Sequence, residues 1–138
     1  KLSNYFINQY YKPKIKYSLT EHLKNFATSS IDISDGLIGD LEKLTNKQKN
    51  SYKLFFDKIP ISKNLNFLLN QKNLLKKNVI SKGDDYQILF TANYKHRNLI
   101  KKISSSKKIK ITRIGKIVNS KHKSSIIDKN GHKIKSSR

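Results

Sequence analysis

The acidic residues of this chain are few, and most of them are grouped. Nine Asp and Glu residues stand against 30 Lys and Arg residues, which gives a formal net charge of +21. Six of the nine lie in two short segments, namely Asp32, Asp35, Asp40, Glu42, Asp84 and Asp85. In so basic a chain, grouped carboxylates indicate sites that bind a cation, and a hard metal ion that prefers oxygen ligands is the most suitable.

The first group follows a segment with the pattern of a half-buried strand. In residues 29–33 apolar and polar residues alternate, so Asp32 and Ser34 are expected on the side away from the core. The chain then turns at Asp35 and Gly36 directly into a helix. Two carboxylates and a hydroxyl beside the free N–H groups of a helix can hold phosphate oxygens and a bridging Mg²⁺. A second interpretation stays open, in which Ser34 or Asp35 only caps the helix and Asp32 faces water.

The second group is Gly83-Asp84-Asp85-Tyr86, at the start of another predicted strand. The glycine allows a tight turn, and adjacent carboxylates at the mouth of a strand suit a cationic or hydroxyl-bearing substrate. A simple turn with its acidic residues in water is the alternative. The four His residues have no metal-ligand spacing, and the chain has neither a P-loop nor a dinucleotide-binding glycine pattern.

Length and composition limit the class of protein. With 138 residues, 36% of them hydrophobic, the chain is long enough for one domain with a continuous core. It contains no Cys, which excludes disulfides, zinc-thiolate sites and a cysteine nucleophile. No apolar run reaches the roughly 18 residues of a membrane-spanning helix, and the first residues lack a signal-peptide pattern, so we expect a soluble, cytoplasmic protein. Because the chain starts at Lys1 and stops at Arg138 without an obvious terminal element, we also expect a fragment of a longer protein.

The high positive charge has two explanations. Lys and Arg neutralise phosphates, so a charge of +21 is compatible with nucleic-acid binding. Only three of the 30 basic residues are Arg, however, which base-reading proteins favour, and the Lys residues are spread over the whole chain. The pattern therefore favours a solvated surface encoded by an AT-rich genome over a dedicated nucleic-acid face.

Hydrophobic periodicity predicts alternating helices and strands. The predicted helices span residues 4–11, 18–26, 37–47, 64–75 and 94–104, and the predicted strands span 29–33, 52–59, 86–91 and 109–118, with a hairpin at 124–135. The second helix opens with a capping box at Ser18 and Glu21, and the hairpin has an Asn130-Gly131 turn. This order indicates an α/β or layered α+β fold with helices packed on a sheet.

Three segments, in this order, resemble one known family. They are Ile31-Asp32-Ile33-Ser34-Asp35-Gly36-Leu37 with Asp40-Leu41, then Gly83-Asp84-Asp85-Tyr86-Gln87-Ile88-Leu89-Phe90-Thr91, and last Thr112-Arg113-Ile114-Gly115-Lys116-Ile117. With Tyr11-Lys12-Pro13 before them, they are similar to the successive motifs in the C-terminal half of the thiamine-monophosphate kinases. The resemblance covers essentially the whole chain, and it is specific through the order and spacing of the motifs.

The resemblance implies a fold and a reaction. The fold would be that of the C-terminal domain of the aminoimidazole-ribonucleotide synthetase superfamily, a mixed sheet with helices packed on it, and residues 1–138 would be one such domain. The family's N-terminal domain, which binds ATP and forms the homodimer, would be absent, so the chain alone is expected to be inactive. The reaction would be the ATP-dependent phosphorylation of thiamine monophosphate to thiamine diphosphate, with Mg²⁺ as cofactor.

The resemblance also implies roles for single residues. Asp32 and Asp35 would be ligands of Mg²⁺ ions that bridge the ATP phosphates, and Ser34 would contact the nucleotide. Asp84 stands where the family mostly has a Glu that contacts thiamine monophosphate, and its side chain is one methylene shorter. No residue is assigned as a general acid or base. Asp40, one helical turn further on, is expected to have little influence on catalysis.

Two other functions stay open from the sequence. A relative in the same superfamily would use ATP on a different substrate. A protein of another class would be a basic nucleic-acid-binding module in which the Asp residues are incidental helix caps. The kinase interpretation expects ATP and thiamine monophosphate as ligands, and no specific nucleic-acid or membrane partner.

Overall fold

The computed structural model describes residues 4–5, 7–8, 17–71, 75–80 and 87–135. The chain divides into two compact units, one formed by residues 1–34 and 84–111 and the other by residues 35–83 and 112–138. Residues 4, 5, 7 and 8 are helical, as predicted for 4–11, and the remainder of that segment lies outside the described residues.

Helices and strands alternate along the first part of the chain, and three strands follow the last helix. The helices are α1 (Tyr17–Leu23), α2 (Leu37–Asn46), α3 (Lys63–Gln71), α4 (Lys76–Ile80) and α5 (Arg97–Ser106). The strands are β1 (Ala27–Asp32), β2 (Asn50–Phe55), β3 (Ile88–Ala92), β4 (Gly115–Asn119), β5 (Ser125–Ile127) and β6 (Lys133–Ile134), and short 3₁₀ helices cover Phe56–Lys58 and Tyr94–His96. The predicted order is confirmed, with α4 as an additional helix. Within the described ranges, no helix has the length and hydropathy needed to cross a membrane.

The first unit is built on a two-stranded antiparallel sheet of β1 and β3. Its core contains Leu19 from α1 and Ile103 from α5, together with Phe26 and Ile109, so both helices cover one apolar cluster. The rings of Phe26 and Phe90 lie with their centroids 5.3 Å apart, which joins β3 to that cluster.

Helix α1 differs from the prediction at both ends. It begins at Tyr17, so Ser18 lies inside the first turn and the predicted capping box with Glu21 is wrong. It ends at Leu23, because the next residues form a turn in which the N–H of Phe26 donates to the carbonyl of Leu23 over 3.1 Å. Phe26 therefore reaches the core from the turn and not from the helix.

The second unit contains a four-stranded mixed sheet in the order β4-β2-β5-β6, with β2 antiparallel to β4 and parallel to β5. Helix α2 packs on β2. It forms because its apolar residues recur at helical spacing, and this face is buried through Leu37, Ile38, Leu41 and Leu44. The fold class predicted from the sequence, helices packed on a mixed sheet, is confirmed.

Two boundaries in the second half of the prediction are wrong. Strand β2 ends at Phe55 in a 3₁₀ turn. Helix α3 is described over Lys63–Gln71, and the next three residues of the predicted helix lie outside the described residues. The long strand predicted for residues 109–118 is reduced to β4, residues 115–119. Ile109 and Ile111 pack into the core of the first unit, whereas Gly115 pairs with Leu54 in the second, so one continuous strand cannot serve both.

The predicted hairpin at the end of the chain is confirmed. Strands β5 and β6 pair antiparallel, with Ile127 opposite Lys133. Gly131 in the turn has a φ of 85°, which glycine adopts without strain. The carboxylate of Asp128 accepts hydrogen bonds from the N–H groups of Asn130 and His132, both over 2.9 Å, so the turn is closed by a side chain as well as by the backbone.

Candidate functional site

Strand β1 carries the first predicted site residue on its exposed side. Burial alternates along the strand, and its last residue, Asp32, is exposed and lies opposite Ile88 on β3. The pairing continues one residue further, because the N–H of Ile33 donates to the carbonyl of Gln87 over 2.9 Å. Ser34 follows as an exposed residue. The predicted placement of Asp32 and Ser34 away from the core is therefore confirmed.

Asp32 borders a small cleft in the first unit. The cleft has a volume of about 220 Å³ and is lined by Thr20, Leu23, Ser30, Ile31, Asp32 and Ile88. Its polar wall consists of one carboxylate and two hydroxyl-bearing residues, which are hard oxygen donors. A cleft of this composition suits a hydrated cation or a polar group of a ligand.

The turn into α2 depends on Gly36. This residue is the N-cap of α2 and has a φ of 96°, a conformation that residues with a Cβ rarely adopt. Since glycine has no side chain, no side-chain hydrogen bond caps the helix at this position. Gly36, and not Ser34 or Asp35, therefore occupies the N-cap position of α2.

A buried carboxylate organises the residues around this turn. Asp40 is completely buried, and its Oδ2 accepts a hydrogen bond from the N–H of Asp35 over 2.9 Å. Its Oδ1 accepts a hydrogen bond from Nζ of Lys43, also over 2.9 Å. The same Nζ donates to Oδ2 of Asp35, so Lys43 forms ion pairs with both carboxylates. These pairings, first with Asp35 and then with Asp40, raise the pKa of Lys43 above its ordinary value of 10.5.

Neither Lys43 nor the burial of Asp40 was predicted from the sequence. The expectation that Asp40 has little influence on catalysis took no account of this burial or of its bonds to the Asp35 N–H and to Lys43. The separation of Asp40 and Lys43 by three residues is one that brings opposite charges together on a helix, and this was the available signal. The pattern does not reveal that Asp40 faces inward, because Asp at the fourth residue of a helix is equally suited to a solvated face. Asp35, in contrast, is exposed over 65% of its side chain.

Asp32 and Asp35 each present an exposed carboxylate, which is the hard oxygen ligand that Mg²⁺ prefers, although Asp35 shares one oxygen with Lys43. Within the described ranges, no three His, Cys, Asp or Glu side chains are grouped as a complete metal site. Asp84 and the rest of the turn at residues 83–86 lie outside the described residues. Magnesium binding and the contact of Asp84 with substrate therefore stay predictions.

Comparison with curated proteins finds similar sequences under one name. No family model matches the chain. The thiamine-monophosphate kinase of Buchnera aphidicola subsp. Schizaphis graminum is 35% identical over 119 residues, which are 85% of this chain and 36% of that protein. The one of Buchnera aphidicola subsp. Acyrthosiphon pisum is 33% identical over 116 residues, again 36% of its length. The chain thus spans about a third of the length of these relatives.

Two solved structures have a similar fold. The thiamine-monophosphate kinase from Stenotrophomonas maltophilia K279a matches with a TM-score of 0.74 and 28% identity, covering 86% of this chain and 36% of that chain. The structure described as AaThiL complexed with AMPPCP and TMP matches with a TM-score of 0.76 and 22% identity, covering 96% of this chain and 40% of that chain. Each of these matches uses less than half of the other chain.

Proposed function

We propose that this chain, which is homologous to the C-terminal part of the thiamine-monophosphate kinases, belongs to an enzyme that phosphorylates thiamine monophosphate to thiamine diphosphate with ATP. The observation that carries the proposal is the match in sequence over 85% of the chain to proteins of that name, together with a TM-score of 0.74 to a solved one. Residues 1–138 would be the C-terminal domain of the complete protein, and on its own this chain is expected to be inactive.

The local geometry supports a role in phosphoryl transfer. This reaction requires alignment of the reactants and neutralisation of developing charge more than covalent participation of the protein. Bound Mg²⁺ would supply that charge neutralisation. Asp32 and Asp35 would hold the metal through exposed carboxylates, and the exposed Ser34 between them would contact the nucleotide. None of these residues is needed as a general acid or base.

The remaining parts of the proposal concern ligands and assembly. Asp84 would bind thiamine monophosphate, and ATP would be the phosphoryl donor. The complete protein would be a cytoplasmic homodimer formed through its N-terminal domain, with no specific nucleic-acid partner. The structure described as AaThiL complexed with AMPPCP and TMP supports the choice of ligands, because it holds compounds with these names in a chain of the same fold.

The direct experiment uses the complete protein that contains this chain. It is incubated with ATP, Mg²⁺ and thiamine monophosphate, and the products are separated by chromatography. We expect thiamine diphosphate and ADP in equal amounts. If ATP is consumed only when another acceptor replaces thiamine monophosphate, the protein is a different enzyme of the superfamily.

The same preparation separates the kinase from a nucleic-acid-binding module. A kinase should bind a Mg²⁺-nucleotide in competition with ATP analogues and should bind RNA or DNA weakly at physiological salt. Tight nucleic-acid binding that falls steeply with salt and ignores Mg²⁺ and nucleotide would contradict the proposal, because phosphate contacts by Lys residues have that salt dependence.

A further inference from the structure

We infer that Lys43 is a positioning residue for the Asp35 carboxylate. This inference rests on the proposed function, which assigns Asp35 to a magnesium site. Lys43 lies outside the motif of residues 31–37, two helical turns along α2, and its connection to Asp35 becomes visible only in the folded chain. It acts through another side chain and is not itself assigned a contact with the reacting atoms.

Asp40 fixes both Asp35 and Lys43. It is completely buried, and each of its carboxylate oxygens accepts a hydrogen bond over 2.9 Å, Oδ2 from the N–H of Asp35 and Oδ1 from Nζ of Lys43. A buried carboxylate that loses a donor keeps an unsatisfied charge in an environment of low dielectric constant, so both bonds are strongly favoured. One buried group thus determines the position of the Asp35 backbone and of the Lys43 ammonium.

The anchored ammonium then restricts the exposed Asp35 side chain. Nζ of Lys43 donates to Oδ2 of Asp35, whose side chain is 65% exposed. An exposed carboxylate without such a partner would sample several rotamers, and a ligand that needs one of them would have to select it. Lys43 therefore keeps one Asp35 oxygen occupied and the other available in a defined direction.

The same pair has an opposite effect on the affinity for a cation. A divalent cation at Asp35 shares its carboxylate with a positively charged ammonium, so Lys43 weakens the binding of the bare cation. Loss of the ammonium should therefore tighten cation binding while it releases the side chain that must be oriented for turnover. If Lys43 only supported the fold, its removal would weaken both cation binding and turnover.

A double-mutant cycle in the complete protein tests this inference. The variants are Lys43→Gln, Asp35→Asn and the double variant, with two readouts: Mn²⁺ binding without nucleotide, measured by electron paramagnetic resonance, and kcat for thiamine diphosphate formation. For Lys43→Gln we expect Mn²⁺ to bind about threefold more tightly, the scale of a partly exposed ion pair, and kcat to fall about tenfold. Both effects should vanish in the Asp35→Asn background, because Lys43 acts through Asp35.

Two controls accompany the cycle. Lys47→Gln changes an exposed Lys at the end of α2 and should alter neither readout. Lys43→Arg keeps the charge and the donors, so Mn²⁺ affinity should stay within about twofold of the wild type. If Lys43→Gln folds poorly, Lys43→Met gives a second neutral variant for the same Mn²⁺ titration.

The outcomes distinguish this inference from the proposed function. Unchanged or weaker Mn²⁺ binding in both neutral variants, or effects that persist without the Asp35 carboxylate, would overturn the role of Lys43. If the cycle in Mn²⁺ binding is as expected and the wild type forms no thiamine diphosphate, the proposed function fails and the positioning of Asp35 by Lys43 stands.

Discussion

Asp35 and Asp40 are the same residue type, five positions apart, in opposite surroundings. The side chain of Asp35 is 65% exposed and that of Asp40 is 1% exposed, yet both accept hydrogen bonds from Lys43. An exposed ion pair contributes little to stability, whereas a buried carboxylate is costly once it loses a partner. The exposed member is therefore free to bind a ligand, and the buried member holds the turn in place.

Replacement of these two residues should separate the two roles. We expect Asp40→Ala to lower the free energy of unfolding by about 2 to 3 kcal/mol, because the N–H of Asp35 and part of the Lys43 charge lose their partner. Asp35→Ala should cost less than about 1 kcal/mol, the scale of an exposed pair. Urea unfolding of both variants measures the difference, and equal losses would contradict the division of roles.

Asp84 is tested through substrate kinetics, since the turn that carries it lies outside the described residues. In the complete protein, Asp84→Ala should raise KM for thiamine monophosphate about tenfold with little change in kcat, because the proposed contact would be made in both ground and transition states. Asp84→Glu should stay within about twofold of the wild type, since a water or a small backbone shift accommodates the added methylene. Unchanged KM and kcat in Asp84→Ala would indicate that Asp84 does not contact the substrate and that its segment is a simple acidic turn.

Among the elements, strand β4 depends on a close approach of two backbones. A Cβ placed on Gly115 would lie 2.5 Å from the carbonyl oxygen of Lys53 on β2, too close for an unchanged sheet. We expect Gly115→Ala to lower the free energy of unfolding by about 2 kcal/mol, as overpacking does elsewhere.

Gly39→Ala is the matched control for this strand. Gly39 lies inside α2, and an added Cβ would make an ordinary contact of 3.9 Å with Cβ of Asp35. Alanine in a helix should stabilise the protein by about 0.5 to 1 kcal/mol relative to glycine. The midpoint of thermal unfolding should therefore rise in Gly39→Ala and fall in Gly115→Ala. An unchanged midpoint in Gly115→Ala would show that β4 can move away from β2.

The hairpin of β5 and β6 should respond to acid through Asp128. Partial burial of the Asp128 carboxyl favours its neutral form and raises its pKa. Hydrogen bonds from the N–H groups of His132 and Asn130 favour the charged form, as do the charge of the His132 ring and the hydrogen bond from it. These effects outweigh burial and lower the pKa below its ordinary value of 3.8. The native hairpin therefore binds fewer protons than the unfolded chain. Its stabilisation is present above 3.8 and is lost as the pH falls through the lowered pKa.

NMR titration of the Asn130 and His132 amides in the acid range measures this effect. Their shifts should follow one transition with a midpoint below 3.8, and the transition should disappear in Asp128→Asn. A midpoint at or above 3.8 would mean that the two hydrogen bonds do not stabilise the charged form.

Elements controlled by local patterns could be predicted from the sequence, and those controlled by distant packing could not. The Asn130-Gly131 hairpin and the exposure of Asp32 follow from a turn type and from alternation, both of which are local. The segment 109–118 has the composition of a strand, but its first residues pack in the core of the first unit and only its last residues form strand β4. The pairing of Lys43 with Asp35 depends on the burial of Asp40, which charge spacing does not reveal.

The whole chain carries a large excess of positive charge, and it spans only part of the length of its relatives. With 30 basic and nine acidic residues, at least 21 positive charges have no acidic counterpart in this chain. We expect such a surface to attract anionic nucleotides at low salt and to be screened at physiological salt, which would assist encounter without defining a site. The chain spans about a third of its relatives, so the proposed activity belongs to the complete protein.

In the proposed function, the Asp35 carboxylate of this chain takes part in phosphoryl transfer to thiamine monophosphate. The most direct measurement is the rate of thiamine diphosphate formation by the complete protein, as wild type, Asp35→Asn and Asp57→Asn, over a range of Mg²⁺ concentrations. Asp57 is a matched control because it is an exposed Asp in a short 3₁₀ helix of the same unit. We predict a loss of about 100-fold or more for Asp35→Asn, the scale of a lost preorganised electrostatic contact, partial recovery at high Mg²⁺, and wild-type rates for Asp57→Asn. Near-wild-type turnover of Asp35→Asn at low Mg²⁺, or a loss that parallels unfolding, would contradict the claim.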